Sequence, residues 1–293
     1  MTDIATIRSD ALTVTVSPIG AELQSVTDAA GAEWFWNGDP AFWAGRAPIL
    51  FPTVGALNGG VARFDGQEYP MAQHGFARRR PFAIAARTDA SVTFRLEADA
   101  ESRAHYPFAF RLDVTHRLDG ATLETILSVT NRDDRPMPAG AGFHPAVRWP
   151  LPGAGARNDH IIRFEADEPE PIRSVIAGGL IGRATKPTPV HENEIALHDS
   201  LFAEDALVFD RPINRSLWFG VPGRPGVRAD YAGMPMLGIW TRPGAGYLCI
   251  EPWHARADDE GFTGEFADKP HVVTLAPGET RDFAMALTFG VPG

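Results

Sequence analysis

The chain has 293 residues, 44% of them hydrophobic, and a formal net charge of -10. That is enough apolar material for a large core, and the negative balance argues against nonspecific binding to nucleic acid or to an anionic membrane surface. The single cysteine, Cys249, excludes an internal disulfide framework and a cysteine-based metal cluster.

The N-terminus, Met1-Thr2-Asp3-Ile4, has no basic or apolar leader-like region, and no apolar run approaches membrane-spanning length. A soluble, cytoplasmic protein is therefore expected. Residues 12–16, Leu-Thr-Val-Thr-Val, alternate apolar and polar side chains as a half-buried strand does. An aromatic segment, Trp34-Phe35-Trp36 with Phe42 and Trp43, precedes the apolar run Ile49-Leu50-Phe51, and a short helical turn is expected over 40–44. Alternation returns at 91–96, 110–114 and 123–129, with a second short helical turn over 99–105. The stretch 153–194 reads as a loop-rich excursion over one face. Residues 235–240 and 247–253 flank a Gly/Pro-rich loop and read as a hairpin. Residues 271–275 close the series of strands. Gly (29) and Pro (25) punctuate these runs at short intervals, and no long amphipathic helix intervenes. The pattern predicts an all-β fold, one antiparallel β-sandwich spanning residues 1–293 as a single domain.

Four short words put ionisable side chains at the edges of these strands. They are Arg46-Ala47-Pro48, Gln73-His74-Gly75-Phe76-Ala77-Arg78, Gly142-Phe143-His144-Pro145 and Ile250-Glu251-Pro252-Trp253. In the last strand Tyr247, Cys249 and Glu251 should share one face, with Leu248 and Ile250 on the other. A carboxylate on a buried-type face is costly unless it is paired or lines a polar cleft. Pro145 restricts His144 to extended geometry, and the small residues Gly140-Ala141-Gly142 would let a ligand approach the backbone. Alone, a histidine before proline is more often structural; the four words together point to acid–base chemistry without a cofactor. Cys249 reads as a buried, inert thiol. The other histidines, His191 and His198 among them, lack a spacing that argues for a metal.

At these residues the chain resembles the aldose 1-epimerase (galactose mutarotase) superfamily, in the branch of LacX-like proteins and hexose-6-phosphate 1-epimerases. Gly20-Ala21-Glu22-Leu23, Arg46 to Pro52, His74 to Arg78, Gly142 to Pro145, Leu201-Phe202, Asp205-Ala206-Leu207, Leu237 to Trp240 and Ile250 to Trp253 stand in family order. The resemblance departs at Trp253-His254-Ala255-Arg256, where the family often has a glycine after the aromatic pair. It implies an antiparallel β-supersandwich with sugar bound in an open cleft. It also implies His144 as general acid, Glu251 as general base, and His74, Arg46 and Asp230 as ligands to sugar oxygens. Arg78 or Arg79 could hold a sugar phosphate.

The implied activity is interconversion of α and β anomers of an aldose, with no metal or other cofactor and a small-molecule sugar or sugar phosphate as partner. Two further readings stand beside it: a noncatalytic carbohydrate-binding or sensing module on the same scaffold, and a hexose-6-phosphate-specific 1-epimerase. Glycoside cleavage ranks last, because it usually takes two carboxylates and only Glu251 is evident.

Overall fold

The computed structural model describes residues 4–293; the leader-like region sought at the N-terminus falls largely on residues 1–3, outside them. The chain forms an antiparallel β-supersandwich. A nine-stranded sheet runs in the order Glu194–Ala196, Ile161–Phe164, Ser216–Gly220, Pro225–Asp230, Thr280–Pro292, Thr122–Asn131, Phe110–Asp119, Ser91–Glu97 and Ala83–Arg87. An eight-stranded sheet runs in the order Leu180–Lys186, Ile172–Ile176, Leu207–Phe209, Met236–Trp240, Tyr247–His254, Ala141–Phe143 and Ile49–Leu50, with Ala146–Arg148 also paired to Tyr247–His254. A smaller sheet of Ala5–Arg8, Leu12–Val16 and Leu23–Asp28 flanks them. Among the described residues no helix is long and apolar enough to cross a membrane.

The alternating segments behave as their pattern demands. In Leu12–Val16 the three apolar residues are buried and the two threonines half-buried. Phe110–Asp119 and Thr122–Asn131 pair over ten residues, each turning alternate side chains inward. Phe94, Val114, Leu127 and Phe283 of the larger sheet join Phe143, Val147, Leu248 and Ile250 of the smaller in one hydrophobic cluster. Fully burying a side chain of this size contributes about 1.5–3 kcal/mol, so this shared core holds the two sheets face to face.

Three local expectations need adjustment. The short helix covers Ala100–Arg103 only, capped by Asp99, whose side chain accepts from Ser102 N–H at 2.8 Å; the turn expected near 40–44 is present as a single helical turn, Trp43 N–H donating to Asp39 O at 2.9 Å. The last short strand begins at Val273, because His271 adopts a left-handed φ of 62° that no strand continues. The 153–194 stretch is more ordered than a loop. It contains the hairpin of Ile172–Ile176 and Leu180–Lys186, which edges the eight-stranded sheet and overhangs its outer face.

A buried ion pair knits that overhang to the sheet. Lys269 and Asp258 are 4% and 5% exposed and bonded to each other. Asp258 N–H donates to Ala56 O at 2.9 Å, its carbonyl accepts from Ile181 N–H at 2.9 Å, and its second carboxylate oxygen accepts from Asn58 N–H at 2.9 Å. One residue thereby ties together three segments that wall the cavity described next.

Candidate active site

The Tyr247–His254 strand lies inside the eight-stranded sheet and is buried along its whole length. Leu248 and Ile250 face the main core, whereas Tyr247 and Cys249 belong to a separate aromatic cluster with Trp36 on the outer face. Period two carries Glu251 and Trp253 to that outer face as well. Across the strand, Gly142 pairs with Trp253 and Ala146 with Cys249. The arc between them carries His144 opposite Glu251, and Nε2 of His144 lies 3.2 Å from Oε2 of Glu251. Both side chains are buried, at 7% and 2% exposure.

The glycines around this pair have a use that differs from the expected one. A Cβ on Gly238 would stand 2.4 Å from the Trp253 ring, and one on Gly142 2.8 Å from it. A Cβ on Gly140 would stand 2.8 Å from Ala255 Cβ. The small residues before His144 make room for Trp253 and the turn after it, so the indole can lie across the strands beside Glu251.

His74 reaches the same place from a tight turn. His74 and Gly75 both have left-handed φ, 64° and 70°, and a Cβ on Gly75 would stand 2.1 Å from the Phe51 carbonyl oxygen. Only glycine fits there. Gly55 N–H donates to His74 Nδ1 at 3.1 Å, while His74 N–H donates to Gly55 O at 3.0 Å. With Nδ1 accepting, the ring proton of neutral His74 sits on Nε2. The ring meets His144 edge-on at 5.6 Å between centroids.

These groups line one cavity of about 290 Å³. Its polar side is made by Gln73, His74, Arg78, His144, Asp205 and Glu251. Trp43, stacked on His144 at 4.9 Å, and Trp240, edge-on to it at 5.8 Å, form an aromatic wall. Val54, Val175, Ile181 and Val208 form the apolar side. Arg78 Nη2 donates to Gln73 O at 3.1 Å, which holds the guanidinium at the rim. Arg79 is exposed and is not among the lining residues.

Two expected sugar ligands lie elsewhere. Arg46 spends its guanidinium on backbone carbonyls: Nη1 donates to Gln24 O at 2.9 Å and Nη2 to Asn37 O at 2.6 Å. It fastens the loop that carries Trp43 and is absent from the cavity lining. Asp230 ends a strand of the nine-stranded sheet, where both of its oxygens accept from Arg228 Nε at 3.0 Å. Asp230 is not among the residues that line the cavity. The acid that lines the cavity beside Glu251 is Asp205, held at a left-handed φ of 77° just before the Leu207–Phe209 strand. Its signal was the word Asp205-Ala206-Leu207, which the motif order already contained.

The rim after Trp253 keeps a left-handed turn without glycine: Ala255 has φ 74° and is fully buried.

Burial governs the charges of the central pair. It lowers the pKa of His144 to about 3, with nearby Arg78 acting in the same direction. It pushes the Glu251 carboxyl well above the usual range; Asp205 adds to this, while the Trp253 indole works the other way. Two buried groups that each disfavour charge form a neutral pair sharing one proton, not an ion pair. His74 is likewise held neutral, by burial first and then by His144, Arg78 and Arg79.

A pH dependence follows for stability. Because the native state holds the Glu251 proton more tightly than the unfolded chain does, its contribution is fully present below the ordinary glutamate pKa of about 4.3 and is lost as pH rises through the elevated native value. Glu251→Gln has no proton to lose. Its melting temperature relative to the wild type should therefore climb as pH rises from acid to mildly alkaline. A difference that stays constant across that window, by differential scanning fluorimetry, would show that Glu251 is not buried as a neutral acid.

Comparison with known proteins identifies the family and the fold. The family model described as aldose 1-epimerase matches residues 3–288. The chain is 32% identical to the plasmid-encoded protein LacX of Lactococcus lactis subsp. lactis, over 96% of this chain and 98% of that one. Among solved structures, a galactose mutarotase related enzyme from Lactobacillus acidophilus superposes with a TM-score of 0.89 at 31% identity, covering 99% of this chain and 98% of that one. A galactose mutarotase-like protein from Lactobacillus casei gives 0.90 at 28%, covering 98% and 100%. With a matching family model over nearly its whole length and a relative above 30% identity, the chain belongs to the aldose 1-epimerase family and is an isomerase acting on carbohydrates.

Proposed function

We propose that this protein interconverts the α and β anomers of an aldose by proton exchange between the sugar and the His144–Glu251 pair. The observation that carries the reading is the 3.2 Å contact of these two buried groups at the wall of a cavity of sugar-sized volume. Ring opening needs a base at the anomeric hydroxyl and an acid at the ring oxygen. With the shared proton moved from Glu251 to His144, Glu251 takes the hydroxyl proton while His144 gives its own to the ring oxygen, and the C1–O5 bond breaks to leave an aldehyde. The pair is then Glu251–H with neutral His144, the arrangement that burial favours. Rotation about C1–C2 presents the other face of the aldehyde, and the same two protons return as the ring closes. Each positioned group supplies typically about 10²–10⁴-fold. The chemistry asks for no metal or nucleotide.

His74, Asp205 and Arg78 are the sugar-holding groups in this reading, and Trp43 and Trp240 supply ring faces against which a pyranose can pack. One core cluster drawing on residues from Ala5 to Phe289 supports a single domain around the site. A cytoplasmic setting is part of the proposal. Arg78 on the cavity wall is the one observation that favours a phosphorylated sugar over a free one.

Anomer exchange measured by NMR across free and 6-phosphorylated aldoses tests the reading. Acceleration over buffer for at least one sugar is expected, and none across the panel would leave a binding module on the same scaffold. His74→Asn should raise KM by about tenfold, the worth of roughly one hydrogen bond to a sugar oxygen, while lowering kcat far less than changes to His144 or Glu251. A kcat loss matching theirs would make His74 part of the proton exchange.

A further inference from the structure

Spacing along the chain shows no metal-ligand pattern, yet the fold assembles one. Cys249 and Glu251 alternate on the same face of the Tyr247–His254 strand, with His144 across from them. One donor atom from each of the three lies within 4.8 Å of the others.

We propose that His144, Cys249 and Glu251 form a site for one soft divalent cation of the zinc and cadmium class, and that its occupancy switches off the proton exchange. Geometry is the first support. A tetrahedral ion with N and O bonds of about 2.0–2.1 Å sets those donors about 3.3 Å apart, and the His144–Glu251 contact is already 3.2 Å. With a thiolate bond of about 2.3 Å, the sulfur edges are about 3.6 Å, within reach of about 1 Å of side-chain motion from the present spacing. The second support is the donor set. A mixed sulfur, nitrogen and oxygen set suits zinc or cadmium and rejects magnesium and calcium.

Charge is the third support. A thiolate and a carboxylate around a divalent ion sum to zero, so occupancy removes the burial penalty that either anion carries alone. Three protein donors leave a fourth position, and the adjoining cavity has room for a water there. Binding is balanced by proton release. The Cys249 S–H bond breaks as sulfur–metal forms, the carboxyl proton of Glu251 leaves with it, and the neutral imidazole donates its lone pair.

The inhibitory half rests on the proposed roles of His144 and Glu251; the binding half does not. Cd²⁺ is the probe. Cys249 is the only cysteine, so an ultraviolet Cd–thiolate charge-transfer band reports this site alone. Titration of chelator-treated wild type should give the band with one ion per chain, anomer exchange should fall in step, and chelator should restore it; Mg²⁺ should do neither. Loss of a partner outside a ligand set already costs about 10–100-fold in affinity, so Cys249→Ser should abolish the band and weaken Cd²⁺ inhibition about 100-fold or more, each variant compared with its own metal-free rate. No band in the wild type, a band with undiminished exchange, or an unchanged inhibition constant in Cys249→Ser would each overturn the proposal. Failure of the catalytic reading is separately visible, as near-normal metal-free turnover in Glu251→Gln.

Discussion

Glu251→Gln and His144→Asn should each lower kcat by about 10²–10⁴, or about 3–5 kcal/mol of barrier, with a much smaller change in sugar affinity. Glutamine keeps the shape of the side chain at the strand position opposite His144 but cannot accept a proton. Asparagine keeps a polar group in the arc between Gly142 and Ala146 but cannot shuttle one. The two groups are 3.2 Å apart and share one proton, so they act as a unit. The double variant should be little slower than the slower single. Anomer exchange under saturating sugar, with affinity measured separately by calorimetry, separates the two quantities. Near-normal turnover in Glu251→Gln would move the base elsewhere in the cavity, and Asp205 is the next residue to test.

The largest loss of stability is expected away from the chemistry, in Lys269→Met. Methionine matches the length and apolar stem of lysine, but leaves the carboxylate of Asp258, 5% exposed, without its cation. Breaking a buried pair by removing one partner typically costs about 3–5 kcal/mol. Asp258 also binds Ala56, Asn58 and Ile181, so the damage should spread to the cavity wall and depress activity before global unfolding. Lys269→Met combined with Asp258→Asn should recover part of the loss, because the orphaned charge is gone. Chemical denaturation of the two singles and the double measures this. Singles within about 1 kcal/mol of the wild type would mean that water satisfies Asp258, as it does for surface pairs.

What could be read before the fold was known follows from how each segment is buried. Residues 12–16, 110–114 and 123–129 bury one face, and a half-buried strand writes period two into its sequence. Residues 247–253 are buried on both faces, so alternation of polarity was weak there; what remained legible was a difference in kind, aliphatic on one side and Tyr, Cys and Glu on the other. The overhanging hairpin within 153–194 hid because many of its side chains are exposed or half-buried, which leaves only its glycines visible.

Among site residues, His144, Glu251, His74 and Arg78 were legible as words next to turn residues, and all four line the cavity. Arg46 misled because a motif shows that an arginine is present and not where its long side chain goes. Asp230 misled in a related way: it sits on a strand of the other sheet, and only register assigns a strand residue to a sheet. Asp205, by contrast, stood in the ordered word Asp205-Ala206-Leu207 without being singled out as a ligand.

Three residues around the cavity hold a backbone conformation suited to glycine without being glycine: His74, Asp205 and Ala255. Such positions cost on the order of 1–3 kcal/mol each and survive only where the surrounding fold over-determines them. For His74 and Asp205 the cost comes with a polar group in the cavity, and relieving it would remove that group. Ala255 contributes a methyl and nothing else. The site thus contains two places where stability and chemistry are exchanged for one another, and the turn after Trp253 holds a third where the strain has no chemical return. Selection for robustness would find glycine at 255 first, and would leave 74 and 205 alone.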